Sequence, residues 1–275
     1  MDPDKPDDAP LRARSETHPR DVVVTERALS FGSVATAYER FRPGYPEKLV
    51  DEVLSYAGRP VRSALEIGAG TGKATRVFAG RGIAVTATDP DPAMLAELRT
   101  RVPTTVTTMQ AAFEDLQATA TYDLVFAAAS LHWTSPTDRW ARVAALLDTD
   151  GVFASFGGQL CLADAAHEES ARAARAPFVA DDGFPSPEEP PPNTTMKWPG
   201  TELARSALFV DIRQSVIERR TTMPTRDYIG HLSTISAYLM LPTQTRANVF
   251  ERILEALPAH VPLSADLTLH LARLA

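Results

Sequence analysis

Cysteine is nearly absent from this sequence: among 275 residues there is one, Cys161. An intramolecular disulfide is therefore excluded, and no Cys/His cluster has the spacing of a structural zinc site. Such a composition suits a reducing compartment and points to the cytosol. A long apolar run is missing too. The longest charge-free candidate, 228–245, carries His231, Ser233, Thr234, Ser236, Pro242 and Gln244. It is too polar for a membrane span, which needs about 20 mostly apolar residues. Positive charge is also scarce, with 28 Lys and Arg against 35 Asp and Glu for a formal charge of -7. That balance disfavours a phosphate-backbone ligand, so neither a nucleic acid nor a membrane is expected as a partner.

What is present is an ordinary globular composition, 44% hydrophobic, enough to bury a core. Residues 1–21 stand apart. They hold four prolines and dense charge with almost nothing apolar, and read as a disordered tail. Beyond it, helices are expected over 22–40 and 46–57, the second opened by a proline in its first turn. Short apolar runs then alternate with helical patterns: strands at 64–67, 83–88, 105–109, 122–127 and 151–156, helices at 73–79, 92–101 and 138–147. Strand, helix and strand with short connections signal a parallel sheet covered by helices. A helix is expected over 162–180. The segment 181–200, with Pro185, Pro187, Pro190, Pro191, Pro192 and Pro199, suits neither helix nor central strand and reads as a long loop or lid. Two strands (211–218, 267–274) and two helices between them (225–236, 244–257) complete a single domain over 22–275.

The most specific feature is Ala64-Leu65-Glu66-Ile67-Gly68-Ala69-Gly70-Thr71-Gly72. It is a strand ending in three glycines at alternate positions and running into a helix, so backbone can approach a ligand closely beside free N–H groups. Glu66, an acid inside the strand, is costly in a sheet core unless it has a polar partner. A dinucleotide fingerprint counted from Gly68 and Gly70 would require a small residue where Lys73 stands. This weakens the reading of an NAD(P)-dependent oxidoreductase, which stays as the alternative. A protein that binds the cofactor implied below and catalyses a non-transfer reaction is another.

The arrangement resembles the class I S-adenosylmethionine-dependent methyltransferases, whose first motif, E/D-x-G-x-G-x-G, is matched by Glu66 to Gly72. The resemblance runs over about residues 31–160. It implies an α/β, Rossmann-like, seven-stranded and mostly parallel sheet with helices on both faces and an inserted cap. It divides the chain into an N-terminal helical lid (22–60), a cofactor-binding core (61–160), a helix with a Pro-rich cap loop (161–210) and C-terminal strands and helices (211–275). The implied cofactor is S-adenosylmethionine, the implied partner a small-molecule acceptor, and the implied assembly a monomer or homodimer. Asp89, 17 residues after the last glycine, sits where the family binds both ribose hydroxyls, and two carboxylate oxygens suit that task. Asp91, before Pro92, is the better helix cap. Ala112, Phe113 and Glu114 follow the third strand as the adenine-binding segment does; Glu114 either reaches the adenine amino group or belongs to a plain surface turn. The loop residues Gly68, Ala69, Gly70, Thr71 and Gly72, with Pro90, Met94 and Ala127, complete the cofactor set that the resemblance implies.

Tyr122-Asp123-Leu124-Val125 resembles the family's fourth strand, and no metal-binding acid stands between residues 127 and 137, so no metal is expected. Phe31 to Pro46 is similar to the F-x3-A-x2-Y-x3-RPGYP signature of a branch that includes trans-aconitate-methyltransferase-like enzymes, and that also shows the Leu131-His132-Trp133 pattern. Tyr38 and Arg42, four residues apart, share a helix face if the helix persists. They either close over the methionine carboxylate or serve packing and solvation. His132 is either a general base toward a hydroxyl or amine acceptor or a structural donor. Trp133, Tyr228, His231 and Tyr238 are candidates for the acceptor pocket, the last three alternatively as half-buried helix residues. The N-terminal helix and the Pro-rich loop are expected to close over the site.

Overall fold

The computed structural model describes residues 30–178 and 196–275. The expected tail, the start of the first expected helix at 22–29 and most of the Pro-rich loop lie outside the described residues. Ten strands follow in chain order: β1 (Ser63–Ile67), β2 (Ala84–Asp89), β3 (Thr107–Gln110), β4 (Tyr122–Ala128), β5 (Leu147–Gly157), β6 (Cys161–Leu162), β7 (Phe209–Ile217), β8 (Arg220–Pro224), β9 (His260–Ser264) and β10 (Leu267–Leu274). Seven of them form one sheet in the order β3-β2-β1-β4-β5-β10-β7. The strands β1 to β5 pair in parallel, whereas β10 is antiparallel to both β5 and β7.

The central strands are apolar on both faces, as a parallel sheet under two helix layers requires. Alternation then distributes them. Ala64, Leu124, Phe126, Val152, Ala154 and Phe156 enter one core with the helices Glu47–Ala57 and Lys73–Ala79. Leu65, Ile67, Val125, Ala127 and Phe153 enter the other with the helices Arg139–Leu146 and Gly200–Arg205. The expected seven-stranded fold with helices on both faces is therefore present. Local signals set the ends: Gly58, at φ 66, closes the helix Glu47–Ala57 in the left-handed conformation. Asp91 caps the helix Pro92–Arg99 by accepting from Ala93 and Met94 amides.

Several expected boundaries move. The helix at 138–147 stops at Leu146, and β5 begins four residues before the expected strand. The helix expected over 162–180 is the short strand β6 followed by a helix Ala165–Arg175, which starts where the Asp164 side chain accepts from the amides of Ala166 and His167. The helix expected over 225–236 divides into Thr225–Leu232 and Ser236–Leu239. A second sheet, β6-β9-β8, is an addition. It shares an apolar core of Leu162, Tyr228, Val249, Ile253, Val261 and Leu263 with the helices Thr225–Leu232 and Thr243–Ala256. This cap touches the N-terminal helix Ala35–Phe41 through the helix Thr225–Leu232.

On β10, buried His270 shares a 2.8 Å hydrogen bond with Gln214 Oε1, which also accepts from the Lys197 amide at 2.7 Å. Burial pulls the pKa of His270 down to about 4. An unfolded chain titrates this group near ~6.5, so the native state binds fewer protons between the two values. The stability it contributes is complete above about pH 6.5 and is lost as pH falls toward 4, at roughly 1.4 kcal/mol per unit. Urea midpoints at pH 7 and 5 should therefore separate less in His270→Gln than in the parent protein. Equal separations would contradict the assignment.

Candidate functional site

The glycine loop lies at the carboxyl end of β1, where ligands of parallel α/β sheets bind. Gly68, Gly70 and Gly72 all have positive φ, at 66, 55 and 82. A Cβ on Gly68 would come within 2.6 Å of Ser130 Cβ, and one on Gly72 within 2.7 Å of Leu98 Cγ, whereas one on Gly70 would meet only Met94 Cε at 3.6 Å. Protein packing thus requires two of the glycines, and the third presents bare backbone to the space beside the buried Met94. The Ala69 amide donates to Thr88 O at 2.8 Å, the Gly72 amide to Ala69 O at 2.9 Å, and the Gly70 amide to Asp89 Oδ2 at 2.8 Å.

Two acids flank the loop. Glu66 has 0% exposure; its Oε2 accepts from Thr75 Oγ1 at 2.5 Å, and its Oε1 is buried with no hydrogen-bond partner. Burial pushes its pKa up to about 8, against the Thr75 hydrogen bond, so the carboxyl is mostly protonated at neutral pH and can donate. Asp89, at 8% exposure, accepts from Gly70 N with Oδ2 and from Asp91 N with Oδ1 at 2.9 Å. Burial raises its pKa while those two amides hold it down. Each oxygen keeps a second lone pair for a ligand hydroxyl. An unpartnered buried carboxyl oxygen, bare backbone at Gly70 and an acid at the end of β2 fit a ribose-bearing ligand with a polar tail. Pro90 is half-buried next to Asp89.

The N-terminal segment is fixed to this loop by a residue the sequence reading did not single out. Glu39 accepts from Thr71 Oγ1 at 2.6 Å and from Arg76 Nη2 at 2.9 Å, and its carbonyl accepts from Lys73 Nζ at 2.6 Å. These contacts span over 30 residues of sequence, so no local pattern announces them. Tyr38 and Arg42 do come together, with the guanidinium 5.1 Å from the ring centroid. Arg42 is also committed to the cap, donating from Nε to Thr234 Oγ1 at 2.8 Å and from Nη2 to Thr234 O at 3.0 Å. Phe31, the first residue of the matched N-terminal signature, stands edge-on to Tyr38 at 6.0 Å and to Trp133 at 5.7 Å. Tyr45 packs edge-on to Phe156 at 5.0 Å. Burial, and after it the proximity of Tyr38 and Glu66, drives the Tyr45 hydroxyl pKa upward.

Beyond β3, Ala112 begins the single turn Phe113–Asp115, and the Phe113 ring is buried in the second core. Glu114 does not project as a free carboxylate: its Oε1 accepts from the Ser135 amide at 2.6 Å and its carbonyl from Arg142 Nη1 at 2.7 Å, so it braces the turn after β4. Ala127 is fully buried in that strand. Leu131–Trp133 form a single turn, with His132 exposed and its ring 4.7 Å from that of Trp133. Buried Arg139 holds the turn in place through Thr134 Oγ1 (2.9 Å), Thr134 O (2.7 Å) and Glu202 (3.1 Å).

The acceptor candidates on the cap do not gather at the loop. Tyr228 and Tyr238 are buried in the cap's own core, because their positions lie on the apolar faces of their helices. His231, 2% exposed, lies nearly parallel to the Tyr228 ring with Nδ1 lacking a hydrogen-bond partner. Burial, reinforced by the Arg42 charge, lowers its pKa to about 3, so this imidazole is neutral. Among the described residues, no group of three or more His, Cys, Asp or Glu could hold a metal ion, and no helix is long and apolar enough to cross a membrane.

Comparison with known proteins agrees with this geometry. A family model described as a methyltransferase domain matches residues 64–151. An uncharacterized methyltransferase of Mycobacterium tuberculosis (strain ATCC 25618 / H37Rv) is 30% identical over 241 residues, 87% of this chain and 90% of that protein. A solved structure from Anaeromyxobacter dehalogenans, described as a "Putative Type II Methyltransferase", is 24% identical with a TM-score of 0.58, covering 85% of this chain and 97% of that one. The Haemonchus contortus phosphoethanolamine N-methyltransferase 2, solved with phosphomonomethylethanolamine and S-adenosylhomocysteine, has a TM-score of 0.51 at 16% identity, covering 91% of this chain and 59% of that one.

Proposed function

Because the chain belongs to the class I S-adenosylmethionine-dependent methyltransferases, we propose that it passes the cofactor's methyl group to a small-molecule acceptor (a carboxylate, hydroxyl, amine or carbon) without a metal and chiefly by positioning. The bound cofactor supplies a methyl already activated on a sulfonium, so alignment provides much of the acceleration. The observation that carries the reading is the pairing of the Gly70 backbone with the Asp89 carboxylate at the end of adjacent strands.

In this reading Asp89 accepts from the ribose hydroxyls, and the loop Gly68–Ala69–Gly70–Thr71–Gly72 lies against the cofactor. Pro90, Met94, Ala112, Phe113, Glu114 and Ala127 frame it. Protonated Glu66 offers its unpartnered oxygen to the cofactor's polar end. Tyr38 and Arg42 wall the methionine side, and Arg42 can still donate from Nη1. His132 accepts a proton from a hydroxyl or ammonium acceptor, and a carboxylate acceptor, ionised at neutral pH, needs no base. Trp133 is the aromatic wall on the acceptor side, whereas Tyr228, His231 and Tyr238, buried within the cap, act by packing the cap that carries them. Phe31 to Pro46 and Leu131-His132-Trp133 support placement in the trans-aconitate-methyltransferase-like branch, and the lone Cys161 supports a cytosolic site of action.

An NAD(P) reading is disfavoured on electrostatic grounds. The Glu39 carboxylate and the long Lys73 side chain stand at the start of the helix Lys73–Ala79, where a dinucleotide's pyrophosphate would need bare N–H groups. The test is incubation with metabolite extracts and methyl-labelled S-adenosylmethionine. One labelled small molecule should form in step with S-adenosylhomocysteine. Tight cofactor binding without labelled product in any extract would favour a non-transfer role.

A further inference from the structure

The strongest cluster outside the residues assigned above is centred on Glu39. Its side chain, 12% exposed, projects from the N-terminal helix onto residues 71–76. Thr71 Oγ1 donates to Glu39 Oε2 at 2.6 Å, Arg76 Nη2 donates to Glu39 Oε1 at 2.9 Å, and Arg76 Nη1 donates to Thr71 O at 3.3 Å. The three residues close a ring of hydrogen bonds. Lys73 Nζ adds a fourth tie, 2.6 Å from the Glu39 carbonyl and 3.5 Å from Oε2.

This ring has a consequence for the glycine loop. Three of its five residues are glycines without side chains, and Ala69 has only a methyl. Thr71 therefore contributes the loop's one polar side chain, and it is spent on Glu39. With both its hydroxyl and its carbonyl held, Thr71 has its side chain and the peptide that joins it to Gly72 fixed in orientation, next to Gly70 in the loop. Lys73 would otherwise be unfavourable at the start of a helix, where the dipole repels cations; Glu39 offsets that charge. Burial raises the Glu39 pKa, but the Thr71 hydrogen bond and the Lys73 and Arg76 charges outweigh it and hold the carboxyl below its ordinary range. It is thus a permanent anion at neutral pH.

We propose that Glu39 is a positioning residue for the cofactor, acting through Thr71 to hold the glycine loop in its binding shape. The proposal rests on the reading of that loop as the S-adenosylmethionine site. It also makes the helix Ala35–Phe41 a fixed wall of the site at Glu39, where the sequence reading expected a lid.

The experiment is calorimetric titration of the full chain with S-adenosylmethionine. Glu39→Ala should raise Kd about tenfold, equivalent to ~1.4 kcal/mol, and Glu39→Gln should raise it less, since an amide oxygen still accepts from Thr71. Thr71→Val should raise Kd as well, and Glu39→Gln combined with Thr71→Val should fall well short of the product of the single effects, because both act through one contact. A merely structural role would lower the unfolding temperature of these variants and leave Kd unchanged in the folded protein. Arg81→Ala, which breaks the exposed pair with Asp51 at 2.7 Å, is the control and should leave Kd unchanged. Circular dichroism identifies variants that fail to fold, and Glu39→Gln carries the test if Glu39→Ala is one of them. Parent-like Kd in folded Glu39 variants, with binding lost in Asp89→Ala, overturns the proposal alone. Parent-like Kd in Asp89→Ala as well overturns the loop assignment beneath it.

Discussion

Asp89→Ala is expected to weaken S-adenosylmethionine binding by at least tenfold, and by more than a hundredfold if both ribose hydroxyls depend on it. Each hydrogen bond to a charged group is worth ~1.5 to 3 kcal/mol, and ~1.4 kcal/mol is a factor of ten. The structure adds a second contribution. Asp89 also fixes the Gly70 amide at 2.8 Å and the Asp91 amide at 2.9 Å, so its loss loosens the loop and the start of the helix Pro92–Arg99 together. Asp89→Asn keeps one good acceptor oxygen and should fall between the parent and the alanine variant. Calorimetry that returns the parent affinity for a folded Asp89→Ala protein would sink the assignment.

The second large effect is expected at Gly70. Gly70→Val should abolish cofactor binding while the fold persists, and the comparison with Gly72 shows why. A Cβ on Gly72 collides with Leu98 at 2.7 Å, whereas on Gly70 it finds Met94 at an ordinary 3.6 Å. Substitution at Gly72 therefore disrupts packing first. At Gly70, φ is 55, so a β-branched residue costs on the order of 1 to 3 kcal/mol in backbone strain and places its side chain toward the space assigned above to the proposed cofactor. Gly72→Ala should lower the urea midpoint more than Gly70→Ala does, and Gly70→Ala should cost more affinity per unit of stability lost. A folded Gly70→Val protein with parent-like affinity would show that the ligand does not pass there.

The parts legible in the sequence were those governed by short-range pattern. Strands β1 and β4 and the second half of β5 are apolar runs bounded by turn residues, β3 (TTMQ) being the polar edge strand, and Glu66, the glycines and Asp89 sit toward the strand ends where a parallel sheet gathers its ligand groups. Strands β6, β8 and β9 were not legible. Two to five residues long, and with Pro224 and Pro262 in β8 and β9, they resemble loops until long-range pairing defines them. Glu39 was hidden for the same reason, since its partners are brought to it by folding. Tyr228 and Tyr238 illustrate a different limit: a helical aromatic can face a pocket or a core, and the sequence carries both readings until the neighbouring apolar surface of Val249 and Ile253 is in place. Glu114 lies in the turn expected after the third strand, but its carboxylate is engaged by an amide 21 residues away.

The position of β10 has a bearing on how the chain reaches this state. During synthesis β5 and β7 are made well before residues 267–274, yet β10 lies between them and pairs with both. Until it arrives, each of those strands exposes a row of unsatisfied backbone groups, a template for pairing with another chain. The docking strand must also close a loop of roughly a hundred residues back to β5, so its insertion comes late and slowly relative to the parallel half of the sheet. Nascent chains should therefore pass through an interval in which β1 to β5 are assembled and β5 and β7 are competent to capture the wrong partner. Overexpression at high temperature raises the chance of that capture, and rapid dilution at low protein concentration favours the correct insertion.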